Sequence, residues 1–203
     1  MRRGADFSGL LKSSAASSLA EFAISLPLLV VLVVGIFDFG GAFNQKQQLS
    51  NAMREAARFG ASEATNDLAV GPAPPSVDAI RTMVSGYLVA ARLPDCGLGS
   101  QTASTGPPWV YTASGGCPGP LPLILTIRRD PPGGAFNGSP SCSVTATGYG
   151  SPNPIGTLNM ACTNVSIAYP YQWHFNSVIQ LLVPGATLAL STITASATAV
   201  NMN

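Results

Sequence analysis

Phe22–Phe37 reads FAISLPLLVVLVVGIF, sixteen positions without a charge. With Asp38 and the following FGGAF the run reaches Phe43. As a helix it is about 33 Å long at 1.5 Å per residue, against about 30 Å of hydrocarbon in a bilayer. A core helix of a water-soluble domain keeps a polar face, and this stretch has almost none. It predicts a membrane-spanning segment. Glu21 and Asp38 bracket it, about 26 Å apart along a helix. That spacing keeps both carboxylates away from the bilayer centre, where an acidic residue costs ~2.5–3.5 kcal/mol. Both are expected as membrane-border acidic residues.

Orientation is harder to read. Arg2, Arg3 and Lys12 precede the run and Lys46, Arg54 and Arg58 follow it, so the positive-inside count ties. Gly40-Gly41-Ala42 offers small residues for a signal-type cut before Phe43. The apolar run exceeds the usual 7–15 residues of a signal peptide, however, and helical patterning continues straight past it.

Gln45–Thr65 has no proline and many helix formers. Leu49, Ala52, Met53, Ala56, Gly60 and Ala64 recur at spacings of three and four. Within that stripe Ala52, Ala56, Gly60 and Ala64 lie four apart, a pattern that lets two helix backbones approach closely. Pro27 is expected to bend the helix inside the bilayer. After the break at Gly71-Pro-Ala-Pro-Pro75, Ser76 or Asp78 is positioned to cap a second helix reaching about Arg92. Its core face would carry Val77, Ile80, Val84, Tyr87, Leu88 and Ala91. Strands are expected at Trp109–Thr112, Leu123–Arg128, Cys142–Thr147, Val165–Tyr169 and Thr187–Val200, separated by Gly/Pro/Ser/Asn clusters. Leu158–Ala161 and Phe175–Val183 are ambiguous, the latter suggesting a short helix.

The layout is α+β: a long N-terminal transmembrane helix continuing into an amphipathic helix, a second short helix and a small antiparallel sheet. The expected divisions are a basic leader at 1–20, the transmembrane helix at 21–43, its extension at 44–70 and a Gly/Pro-rich α+β domain at 71–203.

Charge separates the two ends of the chain. All ten basic and nine acidic residues lie between Arg2 and Asp130. Asp130 beside Arg128 and Arg129 reads as a solvated turn. The uncharged remainder lacks what normally keeps a small domain apart from its neighbours. A net charge of +1 gives no nucleic-acid footprint. Cys96, Cys117, Cys142 and Cys162 all follow the apolar segment. An even number in a Gly/Pro-rich region points to one or two disulfides and to an oxidising compartment, with three pairings open. The local pairs Cys96–Cys117 and Cys142–Cys162 would each staple a loop or hairpin. No CxxC spacing argues for a metal or redox site, and no catalytic or phosphate-binding motif is present. His174 sits between Trp173 and Phe175 and reads as an aromatic packing residue. No cofactor and no enzymatic activity are expected.

Ala20–Ala61 resembles the TadE-like family of pilus-assembly proteins. The resemblance is carried by Glu21-Phe22-Ala23, Leu26-Pro27-Leu28-Leu29, Asp38-Phe39-Gly40 and Asn51-Ala52-Met53-Arg54-Glu55-Ala56-Ala57-Arg58. It implies a minor pseudopilin-like component of a tight-adherence (Flp, type IVb) pilus system, anchored once in a bacterial inner membrane. The N-terminus would be cytoplasmic and the C-terminal domain periplasmic. Implied partners are other pilus-assembly or pilin-like subunits, the lipid bilayer and a prepilin peptidase cutting between Ala16 and Ser17. Ala16 stands where that family usually has Gly. The new Ser17 amine would lie one helical turn before Glu21, which would neutralise it in a medium where unpaired charge is costly. The alternatives are an envelope-anchored binding or adhesion module sharing only the anchor, and a secreted protein with a cleaved signal.

Overall fold

The structure is a computed structural model that describes residues 14–68, 73–104, 106–129, 143–147, 154–159, 162–173, 180, 185 and 191–201, with backbone alone for 14–16, 143–147 and 154–159. The long helix, α1, spans Ser14–Ser62 with Pro27 inside it. The chain divides into two compact units, Met1–Gly41 with Trp173–Ala189 and Ala42–Gln172 with Leu190–Asn203.

The first unit holds the apolar part of α1. Leu19, Phe22, Ile24, Leu28, Leu32, Ile36 and Phe37 are all exposed. In water such a surface would be strongly unfavourable, at about 25 cal/mol for each Å². Asp38 is the exception on this stretch, only 6 % exposed. Next to it the Phe39 ring meets Trp173 edge-on, with centroids 5.2 Å apart.

The second unit contains the rest of α1, a second helix α2 at Pro75–Ala90, and all six described strands. Apolar residues of α2 recur every three or four positions, and Val77, Ile80, Val84 and Leu88 are fully buried. Neither Ser76 nor Asp78 caps this helix from outside. Pro75 is preset for the first helical position, so both residues already lie within the first turn. The Ser76 N–H, buried and without an intrahelical partner, therefore needs an acceptor from elsewhere. Asp67 supplies it, taking the Ser76 N–H at 2.8 Å and the Ser76 hydroxyl at 2.9 Å. At the other end Arg92 adopts a left-handed φ of 58°. The helix stops at Ala90, short of the expected Arg92.

Six strands follow in chain order. β1 is Trp109–Ala113, β2 Leu123–Arg129, β3 Ser143–Thr147, β4 Pro154–Asn159, β5 Cys162–Tyr171 and β6 Ser191–Val200. β1, β2, β5 and β6 form an antiparallel sheet in the order β1-β2-β5-β6, while β3 and β4 form a separate antiparallel pair. β4 has no counterpart among the expected strands. Pro154 and Gly156 weaken its strand signal, but an edge position in a two-stranded pair tolerates proline. Cys142, residues 186–190 and, apart from Gln180, the Phe175–Val183 stretch lie outside the described residues.

One face of the four-stranded sheet is the core face. Trp109 and Tyr111 of β1, Leu123, Leu125 and Ile127 of β2, and Val165, Ile167 and Tyr169 of β5 join Leu49, Met53 and Ala56 of α1 and the apolar stripe of α2 in a single cluster. Each fully buried Leu, Ile or Val contributes about 1.5–3 kcal/mol. This cluster holds the helices to the sheet.

Candidate functional site

α1 carries most of the expected functional residues, and its two parts place them differently. The Ala16–Ser17 peptide lies in the first turn. Ser17 is exposed, and its hydroxyl points at Glu21 Oε1, 3.4 Å away. The two side chains thus share one helix face, one turn apart. Glu21 is itself exposed, and its carbonyl accepts the Ser25 hydroxyl at 2.8 Å. Asp38 is buried within the first unit, unlike Glu21. The two bracketing carboxylates therefore have different surroundings.

Beyond Gly41 the small residues of α1 are used within the chain itself. Ala52 and Ala56 are buried in the core cluster. At Gly60 an added Cβ would come within 2.7 Å of both Ile80 Cδ1 on α2 and Thr163 Cγ2 on β5. Only glycine lets the three elements approach this closely. Ala64 lies past the helix end and is exposed; its carbonyl, not its side chain, makes the contact described next.

The C-terminal end of α1 is closed by Arg129, the last residue of β2 and fully buried. Its guanidinium donates to the carbonyls of Gly60 at 2.8 Å, Glu63 at 2.7 Å and Ala64 at 3.0 Å. It also donates to the Thr163 hydroxyl at 3.3 Å and to the Ser76 hydroxyl. A helix ends in carbonyls without intrahelical partners and with partial negative charge. The planar five-donor fork of arginine matches several of them at once. Burial pushes the Arg129 pKa down, while Asp67 and Glu63 oppose that shift. The solvated-turn expectation is therefore wrong for Arg129. Strand alternation puts it on the same face as Leu123, Leu125 and Ile127. That alternation was the available signal, and an arginine in the fourth inward position had to find buried acceptors. Asp130 lies outside the described residues.

A second arginine organises the loop after α2. Arg81 pairs with Asp78 at 2.7 Å and donates to the carbonyls of Leu98, at 2.9 Å, and Gly99. Its guanidinium carbon lies 5.8 Å from the Tyr111 ring centroid. The hydrogen bond to Asp78 outweighs burial and raises its pKa. Burial pushes Tyr111 and Tyr169 up to about 12, with nearby Asp78 and Asp95 adding to the respective shifts. Asp95 accepts from the Ser85 hydroxyl at 2.8 Å and the N–H groups of Gly97 and Gly99. Burial alone would raise its carboxyl, but these hydrogen bonds together lower it.

Beside this loop Cys96 and Cys117 form a disulfide with a Cα–Cα distance of 4.7 Å. Cys162 is disulfide-bonded as well. No group of three or more metal-ligating side chains occurs among the described residues.

These features define a class: an α+β protein whose N-terminal helix is long and apolar enough to cross a membrane once. Residues 16–58 match the family described as TadE-like protein, so this N-terminal segment is TadE-like and consistent with a pilus-assembly related role. The searches of curated proteins and of solved structures returned no match.

Proposed function

We propose that the chain is a non-enzymatic, membrane-anchored component of a bacterial tight-adherence (Flp, type IVb) pilus assembly or secretion apparatus. It acts through contacts with other pilus-assembly or pilin-like subunits. The observation that carries this reading is the extent of the family match. Residues 16–58 cover both the lipid-compatible part of α1 and the part built into the domain core. The matched segment thus includes an anchor and the base on which the domain is built. The Cys96–Cys117 disulfide favours an oxidising compartment for the domain. It supports a cytoplasmic N-terminus and a periplasmic C-terminal domain at the inner membrane. The Ser17–Glu21 geometry suits the charge pairing that a prepilin peptidase would create by cutting after Ala16.

The decisive experiment is deletion of the gene with surface pili and attachment scored. Loss of piliation, restored by the full chain, is the expected result. Unchanged piliation would sink the proposal and favour an adhesion module that shares only the anchor. Mass spectrometry of the mature N-terminus tests processing separately. A start at Ser17 is expected, and an intact start would remove the peptidase from the scheme.

A further inference from the structure

The two edges of the four-stranded sheet are finished differently. β1 is five residues long, and its outer edge is engaged by Ser104. The Ser104 N–H donates to the Val110 carbonyl at 2.9 Å, and the Val110 N–H donates to the Ser104 hydroxyl at 3.2 Å. β6 is ten residues long, pairs with β5 along its whole length without a register shift, and has no strand on its other side among the described residues. Its sequence, STITASATAV, contains no charge, proline or glycine. Edge strands are normally guarded by a lysine, a proline, a bulge or shortness, because a row of unpaired N–H and C=O groups templates another strand. β6 has none of these guards.

We infer that β6 pairs antiparallel with β6 of a second copy of this chain, about a two-fold axis near Ala195–Ser196, joining the two sheets into one. The strand is complementary to itself. An axis through Ala195 sets Thr192 opposite Thr198, Thr194 opposite Ser196 and Ile193 opposite Ala197. Every pair is uncharged and small, and Thr–Thr and Thr–Ser pairs stabilise adjacent strands. An even register also keeps the core-facing residues Ile193, Ala195 and Ala197 on one face in both copies. An isologous contact of this kind closes at two chains, leaving no β6 edge open. The pairing does not rest on a pilus role for the protein.

Single cysteines test it in the full chain in membranes, at the exposed positions Thr192→Cys, Thr194→Cys, Ser196→Cys and Thr198→Cys, with a short bismaleimide as probe. No free cysteine competes among the described residues. Cross-linked dimer is expected to peak at 194 and 196. It should fall off at 192, where an axis through Ala195 separates the two thiols by about 20 Å along the strands. Adding Thr192→Lys and Thr198→Lys to the Ser196→Cys chain should cut its dimer roughly tenfold, since like charges directly opposite destabilise a strand pair. The Cys96–Cys117 disulfide should still form in that variant, which reports that the domain folds. Equal cross-linking at all four positions overturns the inference. So do adducts formed only with a different protein, and the absence of dimer in chains whose disulfide has formed.

Discussion

α1 is one helix with two kinds of surface. From Leu19 to Phe43 its large apolar side chains point outward with nothing of the protein over most of them. From Leu49 to Ala61 the buried side chains are Leu49, Met53 and four alanines. The first part carries bulk on every side, a surface that the hydrocarbon of a bilayer would accept anywhere. The second must be narrow on the face where α2 and the sheet press against it. Glycine shows the difference most directly. A Cβ at Gly35 or Gly40 would meet nothing within 4 Å, whereas one at Gly60 would collide with two neighbours. The same residue type is dispensable for space in one half and required in the other.

That contrast can be broken from its strongest point downward. Arg129→Ala should cost the domain about 3–5 kcal/mol, because it leaves the Gly60, Glu63 and Ala64 carbonyls without their guanidinium donor, and a buried acceptor left unsatisfied costs about 1–3 kcal/mol. Denaturant unfolding of the detergent-solubilised chain would measure it. Arg58→Ala, an exposed arginine on the same helix, should change stability by no more than about 0.5 kcal/mol. If the two variants behave alike, Arg129 does not hold the end of the helix.

Replacing both Cys96 and Cys117 by serine should cost about 3 kcal/mol, from the loop-closure entropy of a bridge spanning 21 residues. The loss should show in unfolding of the domain and leave membrane extraction unchanged. Gly60→Ala should destabilise by about 1–3 kcal/mol through overpacking. Gly35→Ala should cost nothing and gain up to about 1 kcal/mol of helix propensity. Similar unfolding midpoints for these two alanine variants would erase the distinction between the halves.

The smallest expected effect is acidic. The folded Asp95 carboxyl titrates below its unfolded value of about 3.9. The stability it contributes is therefore present above about pH 4 and lost as pH falls through the folded pKa. Asp95→Asn should flatten the dependence of the urea midpoint on pH between 5 and 3. A slope that persists unchanged would assign the acid sensitivity to other carboxylates.

Much of this architecture was legible because it rests on local periodicity. The charge-free run set the apolar helix, the three-four spacing of Val77, Ile80, Val84 and Leu88 set α2, Gly/Pro/Ser/Asn clusters bounded β1, β2, β3 and β5, and alternation marked β6. β4 was missed because Pro154 and Gly156 carry no strand signal, and pairing with β3 is a tertiary fact. The start of α2 was misassigned because Asp67, nine residues before Ser76, supplies the acceptor. In the candidate site, spacing could show that Ala52, Ala56 and Gly60 share a face. It could not show that their neighbours are α2 and β5 of the same chain. Asp38 was expected at a membrane border on helix length alone, and its burial depends on the first unit's own packing. Arg129 was hidden by its charged neighbours in the sequence, although its parity with Ile127 pointed inward.

The Arg129 cap also sets an order of events during synthesis. The carbonyls it closes lie 65 to 69 residues earlier in the chain. At ordinary elongation rates that separation takes roughly 3 to 14 s to translate. For that interval the helix has its apolar half complete while its far end lacks the guanidinium that gathers the Gly60, Glu63 and Ala64 carbonyls. The apolar half of α1 is therefore complete first, and the domain stays open at its base until β2 has been made. A chain truncated before residue 129 would still carry its apolar helix but have an unfinished helix end, which gives a protease a defined place to attack.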